Sequence, residues 1–392
     1  MSGTRAAAVV VVALIAIAAV AALVVPGPAA FNPGARLTAA GFRVTDLTGS
    51  LGPSFHPGII LGAGSNRTST LFGGIGVYHR SPDFSLPALA EITPADQPLA
   101  ASNLTPLVID YFWLGGVYGI GWNGSSWMLA GQAAWGGGTN NWGAAVTWEN
   151  GVLVNRTAGL GRVFDGGGIF AMGWNGSSWL LGGNNTSGRP TLESFDGTHS
   201  VDLSSRIVFH KNNGSWLQLT AWNGREWLVG GEGVLGILSG TSFLDLYPQS
   251  PFVGSGVWTA DWNGTAWLVG GGGGHLAVVE GSAIQTVANL APNFNQAVLI
   301  ILHEPGGWLV AGKGSTSRGM YAPELVYWRS TVPTSAPMDY SGSLPVAFRG
   351  GEIQSGALAP GFCPGCAVLV GEGSYNTASG FGVGAVALLE PA

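Results

Sequence analysis

Four ten-residue stretches of this chain, 122–131, 174–183, 222–231 and 262–271, are near copies of one another: Trp, Asn-Gly, two further residues, a second Trp, then an apolar run ending in glycine. Altered copies stand at 303–312 and 363–372. Self-similarity at a period of roughly 40–50 residues marks a repeat architecture, in which each unit buries its apolar face only by stacking on the next.

The copy at 253–291 serves as the template. Residues 256–262 alternate as a strand, and Asn263-Gly264 predicts a hairpin turn of type I′, in which both central residues take positive φ. Residues 267–269 return as a second strand, 275–280 form a third and 283–290 a fourth. No helical period appears in this unit, so it reads as a four-stranded antiparallel meander. Trp262 and Trp267 flank the turn on one face of the ladder, which makes their indoles neighbours. Anchoring each unit at the second Trp position gives Ile59, Trp127, Trp179, Trp227, Trp267, Trp308 and Val368, seven units over 41–392. An open row of seven sheets would leave large apolar faces in water. Radial closure buries both faces of every sheet, so the expected fold is an all-β, seven-bladed β-propeller.

The last unit supports closure independently, because the chain ends after its third strand at 383–389. The stretch Gly41-Phe42-Arg43-Val44-Thr45-Asp46-Leu47 has the character of a fourth strand and resembles 240–246 and 197–203. It is expected to complete the last blade. Bringing together ends so distant in sequence costs roughly 5 kcal/mol of loop entropy. Burying three or four apolar side chains at about 1.5–3 kcal/mol each offsets this. The longest insertion, 82–107, reads as a surface loop rich in Pro, Ala and Ser.

Composition agrees with short strands and tight turns: 66 residues are Gly, 16 are Trp and only 9% are charged. The net charge of −6 carries no basic run, which argues against nucleic acid as a partner. Arg5 precedes an uncharged Ala/Val-rich run at 6–25. Its length matches the ~20 residues of a spanning helix better than the ~7–15 of a signal-peptide core. Residues 1–30 are therefore expected to be a membrane anchor, with cleavage near Ala29 as the alternative. Residues 31–40 would be a tether, and 41–392 would face outside. Export fits the Asn-x-Ser/Thr sequons beginning at Asn66, Asn103, Asn123, Asn155, Asn175, Asn184, Asn185, Asn213 and Asn263, some of which would be glycosylated. It also fits a disulfide between Cys363 and Cys366 across a Pro-Gly turn, placed by alignment with 262–265.

The glycine pairs Gly182-Gly183, Gly230-Gly231 and Gly270-Gly271, each followed by a third strand, a turn and a fourth strand, resemble the diglycine of kelch-type propeller repeats. The turn Gly176-Ser177-Ser178-Trp179 resembles the Asp-box of sialidase-like propellers, with Trp174 standing where that motif has its Asp. Both resemblances imply a propeller fold and carry no activity.

Chemistry-bearing motifs are few. The Gly-x-Gly-x-x-Gly at 231–236 lies between two strands, without the helix a dinucleotide site requires. The six histidines lack ligand spacing, and no cofactor or metal is expected. Asp261, Glu232 and Glu372 are carboxylates that could meet in a central channel as glycosidase chemistry demands. The loops that vary between repeats join second and third strands and share a rim with the links between blades. They carry Trp135, Asn140, Asn141, Trp142, Arg189, Glu232, His275, Lys313, Arg318, Tyr321, Glu372 and Tyr375. Aromatic faces beside amide and charged donors suit a glycan, a peptide or a surface protein. The expected role is thus a membrane-tethered extracellular binding module. An enzyme acting on extracellular polysaccharide and a structural envelope protein are the alternatives.

Overall fold

The computed structural model describes residues 41–391, apart from 81–82, 95–98, 100, 136–139, 150, 212–213, 291–293, 316–320, 330–335 and 377–380. The chain divides into two units, Met1–Arg36 and Leu37–Ala392. The expected N-terminal helix at 1–30 and tether at 31–40 lie outside the described residues. Among the described residues, no helix is long and apolar enough to cross a membrane.

Seven four-stranded antiparallel sheets make up the second unit. Their first strands are Gly58–Ser65, Gly116–Trp122, Gly168–Trp174, Leu217–Trp222, Val257–Trp262, Ala297–Glu304 and Glu352–Leu358, defining blades 1 to 7. First strands of successive blades touch all the way round, blade 7 against blade 1 included, so the ring is closed and its axis is lined by these strands. The core lies between blades. Leu268, Val298, Val310 and Trp308 form one cluster across blades 5 and 6, and Phe72, Val368 and Leu388 belong to another across blades 1 and 7. Polar clips also cross the joints: Thr220 Oγ1 donates to the Leu180 carbonyl at 3.1 Å, and Asp261 Oδ2 accepts from His303 N at 2.7 Å.

The repeated tryptophans face each other across the first hairpin. Ring centroids are 5.1 Å apart for Trp122–Trp127, 4.9 Å for Trp174–Trp179, 5.0 Å for Trp222–Trp227 and 5.1 Å for Trp262–Trp267. In blade 6 His303 takes the first place, 4.7 Å from Trp308. Such pairs contribute about 0.5–1.5 kcal/mol beyond their buried area.

The turn between them is not of type I′. Trp262 pairs with Trp267, which leaves four residues in the loop, and of the Asn-Gly pair only Gly264 takes a positive φ (97°). The Asn is there for its side chain: Asn263 Oδ1 accepts from Thr265 N (2.9 Å), Thr265 Oγ1 (2.9 Å) and Ala266 N (2.8 Å). Asn66, Asn123 and Asn175 are bonded in the same way. A hydroxyl residue two places after the Asn is part of this side-chain turn, so these turns spell sequons for a conformational reason. Asn103 and Asn155 cap strand ends instead, accepting from Thr105 N and Thr157 N, while the two threonine hydroxyls clip onto the third strand.

The N-terminal strand Phe42–Asp46 completes blade 7 as expected, with Phe42 opposite Pro391 and Asp46 opposite Ala387. Phe42 sits edge-on to Tyr327 (5.2 Å) and Tyr340 (5.9 Å), which ties the closing strand to blade 6. Phe42→Ala is expected to lower unfolding stability by about 2 kcal/mol through lost packing. Chemical denaturation reads this directly, and an unchanged midpoint would deny the strand a closing role.

Three further expectations are corrected. Ile59 lies in the first strand of blade 1, and its second strand is Thr70–Arg80, with Ser65 opposite Thr70 where other blades pair aromatics. The stretch 82–107 is no surface loop, since Asp83–Ile92 and Ala101–Asn103 are the third and fourth strands of that blade. In blade 7 Leu358 pairs with Ala367, so the cysteines fall inside an enlarged turn and do not flank it as the tryptophans do. Their sulfurs stand at disulfide-bonding distance, with Cα atoms 5.2 Å apart.

Candidate functional site

Each first strand carries a β-bulge at the same place. In blade 3 Ile169 pairs with Gly183 and Ala171 with Gly182, leaving Phe170 as the extra residue. The equivalents are Leu61, Tyr118, Gln218, Trp258, Leu299 and Gln354. A bulge re-aims its extra side chain and bends the strand. On the innermost strands of a closed ring this yields seven half-buried side chains around the channel.

The glycine step of the repeat follows from this bulge. A Cβ on Gly74, Gly131, Gly183, Gly231, Gly271, Gly312 or Gly371 would lie 1.9–2.3 Å from the carbonyl oxygen two residues before the bulged one. A second glycine set goes with the aromatic members of the ring. Gly116, Gly168 and Gly256 stand two residues before Tyr118, Phe170 and Trp258, and a Cβ there would approach those rings to 3.4, 2.9 and 2.4 Å. Where the bulged residue is Leu or Gln, the same place holds Ile59, Trp216, Ala297 or Glu352. Aromatic bulge residues therefore lie back over a bare backbone.

The ring is lopsided. Tyr118 and Phe170 pack against each other with centroids 5.2 Å apart, and burial pushes the Tyr118 phenol up to about 12. On the other side Gln218, Trp258, Leu299 and Gln354 open into a cavity of about 970 Å3 at the channel mouth. His210 and Lys211 from the link before blade 4, Glu232, Tyr247, Gln296 and Lys313 add to its wall. Lys211 and Lys313 are the only lysines in the chain, and both are here. Each has a carboxylate partner. Lys211 pairs with Glu232, and Lys313 Nζ lies 2.6 Å from Glu352 Oε2 and 4.8 Å from the Tyr321 ring centroid. The Gln354 amide donates to the other Glu352 oxygen. His210 stacks on Tyr247 and shares a 2.7 Å hydrogen bond with Asp245. The mouth thus sets a few polar groups in a largely apolar wall, with its lysines matched by carboxylates.

Of the residues singled out in the sequence, Glu232 and Lys313 line the cavity, and Tyr321 joins it through Lys313. Glu372 is buried beside Glu352, its strand partner, and accepts from Gly382 N at 3.0 Å; burial raises its pKa. The others are elsewhere. Trp142 bridges to Asp165 and packs on the core between blades 1 and 2, and Asn141 pairs with Ala134. Arg189 is exposed in a turn closed by Asn185, and His275 begins the third strand of blade 5. Trp135 and Asn140 are strand partners, and Tyr375 lies in Ala367–Asn376; their side chains, and Arg318 entirely, fall outside the described residues. Asp261 is at the far end of its strand from the Gly256–Glu232 bridge, with both oxygens taken by backbone N–H groups, so it does not meet Glu232 in the channel. Sequence reading missed Gln218, Trp258, Gln354 and the pair His210–Lys211.

No protein-family model and no curated protein sequence matches the chain. Solved structures do. The WD40 β-propeller domain of Doa1 superimposes with a TM-score of 0.57 at 9% identity, over 89% of this chain and 97% of that one. A chain in the crystal structure of the mitotic checkpoint complex gives 0.55 at 13%, over 91% and 96%. At such identities the likeness is one of fold: the chain is a seven-bladed β-propeller closed by its N-terminal strand.

Proposed function

We propose that this propeller is an exported binding module, held at the cell surface by the apolar run near its N-terminus, which takes its ligand at the channel mouth. The carrying observation is the cavity itself, where a rigid ring positions Trp258, Gln218, Gln354 and both lysines around one opening. Ligand sites favour such concave places, with a few polar groups set among apolar ones. Two exposed apolar side chains stand at the mouth: Val253 lines the cavity and the Tyr321 ring lies under Lys313. The partner is a glycan, a peptide or a neighbouring surface protein.

The test combines location with binding. Protease added to intact cells should digest the propeller. The full-length protein, solubilised in a detergent without a sugar headgroup, should bind members of a glycan or peptide array, and Lys313→Ala should weaken that binding. Digestion only after lysis, or a blank result on both arrays, would remove this reading.

A further inference from the structure

We infer that the channel mouth recognises the end of a neutral saccharide, one pyranose ring lying against Trp258. The inference rests on the binding role proposed above and names its ligand class.

Charge comes first. The two lysines of the mouth are each matched by a glutamate, so an anionic ligand would have to compete with Glu232 and Glu352 for them. A cationic ligand meets the same two lysines. A neutral, hydrogen-bonding ligand disturbs neither pair.

Two unused groups narrow the class. Among the described residues, Trp258 Nε1 and Gln218 Oε1 are both buried and have no hydrogen-bond partner within the protein, and since both side chains line the cavity, a small turn of each brings them to a ligand there. One is a donor and the other an acceptor, and leaving either unmet in a buried place is costly. A hydroxyl group can accept from the indole and donate to the amide. A ring bearing several hydroxyls serves both while offering an apolar C–H face to an aromatic surface. The Gln296 and Gln354 side chains on the same wall supply further amide groups for such a ring.

Geometry makes the site one for an end. Tyr118 and Phe170 stand on the opposite side of the ring, packed against each other, and are not part of the cavity wall. The indole is held in place by the bare backbone at Gly256, where a Cβ would come within 2.4 Å of it.

Isothermal titration of the full-length protein, in a detergent without a sugar headgroup, tests this. The panel comprises neutral mono- and disaccharides, a uronic-acid oligosaccharide and an uncharged peptide. The expected result is binding of at least one neutral saccharide, weakened about tenfold or more by Trp258→Ala, as for a buried aromatic anchor. Gly256→Ala, which keeps the indole but displaces it, should weaken binding as well. Ser125→Ala, on the opposite rim, should leave it unchanged. Binding of the acidic oligosaccharide or the peptide alone would overturn the saccharide inference and leave the binding module standing. Binding of a neutral saccharide that is indifferent to Trp258→Ala and Gly256→Ala would overturn the site. A panel with no binder, alongside a positive array, would overturn the ligand class.

Discussion

Gly231→Ala is expected to destabilise the propeller severely, while Gly230→Ala, one residue earlier, should cost clearly less. The Cβ added at Gly231 would lie 2.2 Å from the Trp216 carbonyl oxygen, a backbone atom held by the bulge at Gln218. Relief requires moving the first strand, and with it the contacts to blades on either side. Overpacking that side chains can absorb costs about 1–3 kcal/mol, so a backbone clash should cost about 3 kcal/mol or more. The Cβ added at Gly230 meets the Val257 Cγ1 atom at 2.8 Å, and a side chain can shift. Other blades hold Ala130, Ala311 and Val370 at that place, opposite the residue after the bulge. A cost of about 1–2 kcal/mol, at the lower end for overpacking that side chains absorb, is expected there. Urea denaturation of the two variants, followed by tryptophan fluorescence, separates them. Equal midpoints would refute the link between glycine and bulge.

The second large effect concerns acidity. Glu304 is 1% exposed, and among the described residues neither of its carboxyl oxygens has a partner. Burial pushes its pKa up to about 7, and burial raises Asp261 to about 6 against two backbone donors. Below about pH 3 both carboxyls are largely protonated in the folded and the unfolded chain, so neither contributes a penalty. As pH rises the unfolded chain ionises first, and stability is lost until the folded pKa is passed. From the ordinary value of 4.5 to about 7, the loss at Glu304 amounts to about 3 kcal/mol. Asp261 adds a loss of similar size. Glu149 and Asp196, held low by their hydrogen bonds, act the other way and lose stability on acidification. Maximum stability is therefore expected near pH 4–5, with a fall toward pH 8. Glu304→Gln should stabilise the protein at pH 8 by about 3 kcal/mol and change little at pH 4. Denaturation curves at both pH values provide the check, and a parallel shift at the two would contradict it.

The architecture was readable because its signal is repeated. Five first hairpins keep an aromatic pair or its His303–Trp308 variant, and the last unit visibly lacks a strand that the beginning of the chain supplies. Blade 1 was misaligned because Ser65 and Thr70 replace the aromatics, leaving only the turn Asn66 and its hydrogen bonds to mark the hairpin. Blade 7 was misplaced because its turn runs from 359 to 366. The channel ring was hidden for a different reason. A position that points into a channel is free to differ in every blade, and Leu61, Tyr118, Phe170, Gln218, Trp258, Leu299 and Gln354 share no residue type across the set. What repeats is the backbone requirement around it, the glycine on the second strand. His210 and Lys211 were beyond reach, since a link between blades reaches the mouth only through the closed ring.

The closing strand has one further consequence. Phe42 lies opposite Pro391 at the end of blade 7 where the Asn-turns gather, away from the channel mouth. A sensor chip or a fused reporter joined beside Phe42 or Pro391 therefore attaches at the rim away from the cavity. Such a handle leaves the cavity free for a ligand in solution.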